Sequence, residues 1–380
     1  MKFARNDVQV VRNGSRVGRW ALAGALAALG ASHPASAAVN PNFYVFLAFG
    51  QSNMEGQAPP ESQDYVGNTR FKVLAPTTCS GNTDGKAVSK TQNQWTTAVS
   101  PIVRCDTHLS LLDGFGKALA DSLPSSDTVG VVPVAVGGTA IRGFVQSAAV
   151  AYYASQASWM QTYAGYYGNN PYTRLVATAK EAQKVGVIKG ILLHQGETDG
   201  YMSGWGDTVK TIYNSLLTDL GLQASEVPLL AGEVYNNAGT NAGIDKLPSQ
   251  ISTAYVISSS GLSIGTYANN QGVHFSAASY RTLGQRYAAQ MVKLLPKSTS
   301  IAPSGARTSW NLRLEAVPGG FVLHSDAAME RVSLVSVRGE VAPVGSGRDV
   351  RIETARLRPG VYMVDAISGD HRETRRVVVN

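Results

Sequence analysis

The sequence predicts an α/β fold: a parallel sheet with covering helices, followed by a small module made only of β-strands. Two observations carry this reading. Between Phe43 and Lys293 short apolar runs alternate with longer amphipathic stretches, and after Leu295 the helical pattern stops and short alternating runs replace it.

The strands of the first part are Phe43 to Phe49, Val129 to Val136, Val187 to His194 and Val227 to Val234, with a weaker one near Phe71 to Leu74. The helices between them are expected around Leu109 to Ser122, Tyr172 to Val185, Asp207 to Leu220 and Ala277 to Leu295. Open sheets of this kind bind ligands beyond the carboxyl ends of their strands, so chemistry is sought there. Pro296, Pro303 and nearby Ser and Gly residues mark a linker. Beyond it Phe321 to His324, Val332 to Val337, Val350 to Ile352, Val361 to Val364 and Arg376 to Val379 read as strands of a small β-sandwich. Its segment Leu357 to Val364 loosely resembles the last strands of C-terminal sorting or accessory modules on secreted bacterial enzymes, and a sorting, sugar-binding or purely structural role stays open.

Residues 1–37 have the pattern of a secretory signal peptide. Lys2, Arg5, Arg12, Arg16 and Arg19 precede an apolar stretch from Trp20 to Leu29, and Ala35-Ser-Ala37 offers a small-residue cleavage site. The apolar stretch is well short of the roughly 20 residues that span a bilayer. The expected layout is therefore a signal peptide over 1–37, an α/β domain over 38–298, and a linker with the β-module over 299–380.

The net charge of +7 invites a nucleic-acid partner, but the leader accounts for +4 of it and the remaining Lys and Arg are scattered. A phosphate-tracking surface is not expected. Cys79 and Cys105 are the only cysteines, both in the exported part, and read as a disulfide. The six histidines are scattered without paired ligands, so neither a metal nor another cofactor is expected.

Four segments carry chemistry. Val45-Phe-Leu-Ala-Phe-Gly50 runs into Gln51-Ser-Asn-Met-Glu-Gly56, which puts Ser52 at the end of a strand, exposed as a nucleophile needs and close to backbone N–H groups. Taken alone, Ser52 reads equally well as a helix cap. Val134-Ala-Val-Gly-Gly-Thr-Ala-Ile141 brings Gly137 and Gly138 to another strand end, where backbone can approach a ligand. Ile191-Leu-Leu-His-Gln-Gly-Glu-Thr-Asp199 presents the Gln195 amide and the acidic Glu197 and Asp199, while His194 reads as a packed histidine. Gln271-Gly-Val-His-Phe275 places His274 in a loop just before the last helix, where it can take a proton from a serine.

In this order on such a sheet, Gly50-Gln-Ser-Asn-Met54 and His194-Gln-Gly-Glu-Thr-Asp199 resemble the signature blocks of the SGNH hydrolase superfamily, in the branch of acetylxylan esterases and sialate O-acetylesterases. The resemblance covers residues 43 to 295. It implies a flavodoxin-like three-layer α/β/α sandwich and a metal-free mechanism through an acetyl-enzyme. Ser52 would be the nucleophile and His274 its base. The Ser52 N–H, a glycine N–H at Gly137 or Gly138, and the Gln195 side chain would form the oxyanion hole. One place departs from the pattern: many relatives carry an aspartate three residues before the histidine, and here Gln271 stands there between Asn270 and Gly272. In a serine triad, an amide in place of the carboxylate costs about ten-thousandfold in turnover. Glu197 is the preferred substitute, with a Ser52–His274 dyad, Asp199 and Glu233 as the alternatives.

The expected function is a secreted or periplasmic serine esterase that removes O-acetyl groups from carbohydrate, such as acetylxylan or O-acetylated sialic acid. The aromatic group Tyr152, Tyr153, Trp159, Tyr163, Tyr166 and Tyr167 fits a sugar-facing cleft, since flat rings stack on sugar faces. Two other readings are a non-catalytic carbohydrate-binding protein on the same fold and a general short-chain esterase. No stable membrane insertion is expected after leader cleavage.

Overall fold

In a computed structural model the described residues are 39–200, 203–267, 270, 272–295, 312–336, 341–355, 357–368 and 371–379. The expected leader and Gln271 lie outside them. The chain divides into two compact units, one ending at Leu295 and the other beginning at Pro296.

The first unit is built on a seven-stranded sheet. Its strands are β1 (Phe43–Gly50), β2 (Phe71–Leu74), β5 (Trp95–Thr97), β6 (Thr128–Ala135), β7 (Val187–His194), β8 (Leu229–Gly232) and β9 (Ala254–Ile257), in the spatial order β5-β2-β6-β1-β7-β8-β9. All neighbours are parallel except β5, which runs antiparallel to β2 at one edge. A separate hairpin, β3 (Cys79–Thr83) and β4 (Lys86–Lys90), intervenes between β2 and β5.

Strand β1 shows why the sheet is a middle layer. Val45, Leu47 and Phe49 pack into one core with Leu175 and Ala179 of α5 (Pro171–Gln183) and Val209, Ile212 and Leu216 of α6 (Trp205–Leu220). Phe46 and Ala48 point the other way, toward Leu112, Phe115 and Leu119 of α2 (Leu111–Ser122) and Leu283, Tyr287 and Met291 of α9 (Ala277–Leu294). Successive side chains of a strand alternate between faces, so a strand apolar throughout is a strand covered on both sides. Helix α2 starts at a reciprocal cap, in which the Ser110 hydroxyl accepts from Leu112 N and Asp113 accepts from Ser110 N.

The three central strands end in register at Gly50, Ala135 and His194. The chain crosses from one side of β1 to the other between β6 and β7, so the loops leaving these ends part at the carboxyl edge of β1. A Cβ on Gly50 would lie 2.0 Å from the His194 carbonyl, so only glycine lets the turn close against β7. Gln51 N then bonds to His194 O at 3.1 Å, and the loop that carries Ser52 is tied to the next loop at its root.

The second unit has five antiparallel strands: β10 (Leu312–Val317), β11 (Gly320–Ser336), β12 (Val341–Glu353), β13 (Gly360–Ser368) and β14 (His371–Val379). Two of the expected strands, at Phe321 and Val332, are the two ends of the single long β11, which pairs with β10 at its start and β13 at its end. Leu323, Val332, Leu334, Val350, Ile352, Val364 and Ala366 form its own core. Among the described residues no helix is long and apolar enough to cross a membrane.

Candidate active site

Ser52 opens a four-residue helix, α1 (Ser52–Glu55), directly after the Gly50 turn. His274 stands in the loop before α9, two residues ahead of the helix cap Ser276, whose hydroxyl accepts from Ser279 N. The loop is held at both sides. Gly265 N and the Asn270 amide both donate to the His274 carbonyl, and Phe275 is fully buried beside it. The outcome is a contact of 2.9 Å between His274 Nε2 and Ser52 Oγ, across 222 residues of sequence.

Both groups line a cavity of about 590 Å³, together with Glu197, Thr198, Gly137, Gly138 and Trp159. Burial holds the His274 imidazole below its usual pKa, against the opposing pull of the Glu197 charge. The ring is therefore neutral at neutral pH and able to accept a proton. Burial would raise the Glu197 carboxyl, but His194 and Asn53 outweigh it and hold the group below its ordinary value, so it is ionised. Glu197 Oε1 accepts from the Asn53 amide at 2.6 Å and lies 3.5 Å from His194 Nε2. Glu197 Oε2 and His274 Nδ1 are both buried, and neither has a hydrogen-bond partner among the described residues.

The reserve acids are occupied elsewhere. Asp199 Oδ2 accepts from Ile141 N at 2.9 Å and from the Gln195 amide, tying the loop after β7 to the loop after β6. Glu233 accepts from Ser258 Oγ and Ser259 N, both at 2.7 Å, which anchors the turn after β9. Neither lines the cavity.

Of the candidate oxyanion donors, Gly137 N donates to Glu55 Oε1 at 3.2 Å and is spent there. Gln195 is also spent: its amide nitrogen donates to Gln51 Oε1, Thr139 O and Asp199, its oxygen accepts from Trp205 Nε1 at 2.6 Å, and it is not in the cavity wall. The Ser52 and Gly138 N–H groups have no acceptor among the described residues, and Gly138 adopts φ +71° at the cavity wall.

Two groups that the sequence reading did not single out organise this site. Asn53 is fully buried; its amide nitrogen donates to Glu197 and to Val273 O, and its oxygen accepts from the Tyr280 hydroxyl and Phe275 N. One side chain thus fixes the acid and the histidine loop together. Its position next to Ser52, as a polar residue in a segment otherwise entering the core, was the available signal. Arg104, 1% exposed, forms an ion pair with Glu55 and bonds to Ala135 O and Asp106. Burial pushes the Glu55 carboxyl up, against the pull of Arg104. Arg104 precedes Cys105, which is joined to Cys79 in a disulfide.

The expected aromatic group divides. Tyr153 and Tyr167 are core residues, and the Tyr152 hydroxyl accepts from Ala140 N. Trp159 and Tyr163 line the cavity, with Trp159 half exposed over Gly138.

A layered α/β sandwich with a serine and a neutral histidine in contact in an open cavity has the equipment of a carboxylic ester hydrolase. Residues 42–293 match the family described as carbohydrate esterase, sialic acid-specific acetylesterase. The chain belongs to that family and is a carbohydrate esterase. A probable carbohydrate esterase of Arabidopsis thaliana is 26% identical over 212 residues, covering 53% of this chain and 72% of the plant protein. The X-ray structure of that plant protein superposes with a TM-score of 0.49 at 19% identity, over 67% of this chain and 99% of the other. The crystal structure of NanS gives a TM-score of 0.47 at 16% identity, over 67% and 98% of the two chains.

Proposed function

We propose that the protein is an exported serine esterase that removes O-acetyl groups from carbohydrate through an acetyl-enzyme. The observation that carries this reading is the 2.9 Å contact between His274 Nε2 and Ser52 Oγ inside an open cavity. Ser52 Oγ attacks the acetyl carbonyl carbon while its proton passes to His274 Nε2. The charge that develops on the carbonyl oxygen is met by the Ser52 and Gly138 N–H groups; one such donor is worth about 10²–10³ in turnover. The tetrahedral intermediate collapses, and the sugar oxygen leaves with the proton from His274. Water then attacks the acetyl-enzyme with His274 again as base, and acetate departs.

Glu197 is the acid in this scheme. When Nε2 accepts from serine, Nδ1 carries the ring proton, and the imidazolium formed next is stabilised by a nearby carboxylate. Glu197 Oε2 is a buried acceptor of an ionised carboxylate with no partner among the described residues, Glu197 lines the same cavity, and its charge raises the His274 pKa. Export is supported by the leader pattern and by the Cys79–Cys105 disulfide, which persists in oxidising compartments.

The test is acetate release from acetylated xylan and from 4-nitrophenyl acetate by the parent, Ser52→Ala and Glu197→Gln. Ser52→Ala should lose at least about a thousandfold and Glu197→Gln at least about a hundredfold, both with an unchanged circular dichroism spectrum. An active Ser52→Ala variant would overturn the assignment of the nucleophile. Full activity in Glu197→Gln would remove Glu197 from the mechanism.

A further inference from the structure

The charges around the cavity bear on which acetylated sugar enters it. Among the described residues that line the cavity Arg104 is the only Lys or Arg, and its charge is shared between Glu55 and Asp106. It is 1% exposed, its Nη1 is bound to Glu55 and to Ala135 O, and its Nε donates to Asp106 Oδ1 at 2.9 Å. Its guanidinium carbon lies 4.8 Å from the Tyr163 ring centroid, so one face is covered as well.

The acids outnumber it. Asp106 and Glu197 line the same cavity, and Asp106 keeps 37% of its side chain exposed. Even with Glu55 protonated, the wall carries one negative charge in excess. His108 adds no net positive charge in either of its protonation states, because Asp84 sits 2.9 Å from its Nδ1. Beside these charges the wall offers the half-exposed Trp159 ring, a flat apolar surface of the kind that stacks on the C–H face of a pyranose.

Resting on the esterase reading above, we infer that the enzyme deacetylates uncharged sugars and discriminates against sugars that carry a carboxylate, with Asp106 as a specificity residue at the rim. A sialic or uronic acid carries a carboxylate, which a cation in the site would hold most strongly. Here it would meet a carboxylate in the wall of the same cavity instead, and repulsion between partly exposed charges is screened as salt rises.

The experiment isolates charge at constant sugar shape. The full-length secreted protein is assayed on the methyl glycoside of 9-O-acetyl-N-acetylneuraminic acid and on the methyl ester of the same compound, with 4-nitrophenyl acetate as a charge-free reference. The ester should have at least about a tenfold higher kcat/KM than the free acid at low salt. The gap should narrow on adding 0.5 M sodium chloride, about where the Debye length falls to roughly 4 Å. Asp106→Asn should narrow the same ratio several-fold by raising kcat/KM for the free acid. Equal rates on the two compounds, or preference for the free acid, while 4-nitrophenyl acetate is turned over, overturns the inference. Loss of 4-nitrophenyl acetate hydrolysis in the parent would instead count against the esterase reading.

Discussion

Four polar side chains, Ser52, His274, Glu197 and Asn53, meet at the carboxyl edge of β1, and their protonation sets how the site responds to pH. A histidine serves as base only when neutral. Burial depresses the His274 pKa below 6.5, so the acid limb of kcat/KM should have its midpoint below that value. The Glu197 charge acts in the opposite sense, raising the His274 pKa. Removing that charge in Glu197→Gln should therefore move the acid limb to still lower pH in whatever activity remains. A pH profile on 4-nitrophenyl acetate checks both signs, and an upward shift in the variant would show that Glu197 does not act on His274.

Residue types and their order were legible at this scale: Ser52, His274 and Glu197, chosen from the sequence, all line one cavity. Donor assignments were less so. Gln195 and Gly137 were natural oxyanion candidates, yet one is consumed by Gln51, Thr139, Asp199 and Trp205 and the other by Glu55. A sequence shows that a group has a donor; only packing shows whether another residue has already taken it. Asn53 is the converse case, a residue whose four hydrogen bonds reach segments more than 140 positions away.

At the scale of elements, the histidine loop is carried by α9, and α9 is set by its crossing with α2. The two helices meet backbone to backbone at small residues. A Cβ on Gly284 would lie 2.1 Å from Leu111 O, and one on Gly114 would lie 2.3 Å from Arg281 O. Ala at position 284 would gain up to about 1 kcal/mol in helix propensity. The clash is with main chain, which cannot swing aside, so overpacking wins and Gly284→Ala should lose about 1–3 kcal/mol net. Because α9 would have to move, kcat should fall too. Urea midpoints and rates on the same preparation test this, and a raised midpoint would show that the helices separate without cost.

Long elements were readable because each buries a stripe or a face: β1, β6, β7 and the helices α2, α5, α6 and α9 stand close to where periodicity puts them. The hairpin β3–β4, the edge strand β5 and the short β9 escaped it. The hairpin is mostly polar, and β5 and β9 have three and four residues, too few to establish a period. In the second unit β11 was read as two strands, because its middle, Ser325 to Arg331, alternates poorly, and register shifts occur there in its pairing with β12.

For the whole molecule, every residue proposed to act on substrate lies between Ser52 and His274, inside the unit that ends at Leu295. That unit has its own two cores, and the second has a third. A chain ending at Leu295 should therefore fold alone and keep kcat/KM for 4-nitrophenyl acetate within about twofold. A large loss on this small soluble ester would show that the second unit supports the site.

What the sequence determined by itself was the class of fold, the order of its long elements, and the candidates Ser52, His274 and Glu197 that line one cavity, because apolar periodicity and motif order are local properties of a chain. The tertiary structure decided which acids are taken up by other loops, which N–H groups remain open and which charged side chains share the cavity wall. Those depend on competition for hydrogen bonds and on burial among groups brought together by the sheet, and no local pattern records the outcome of that competition.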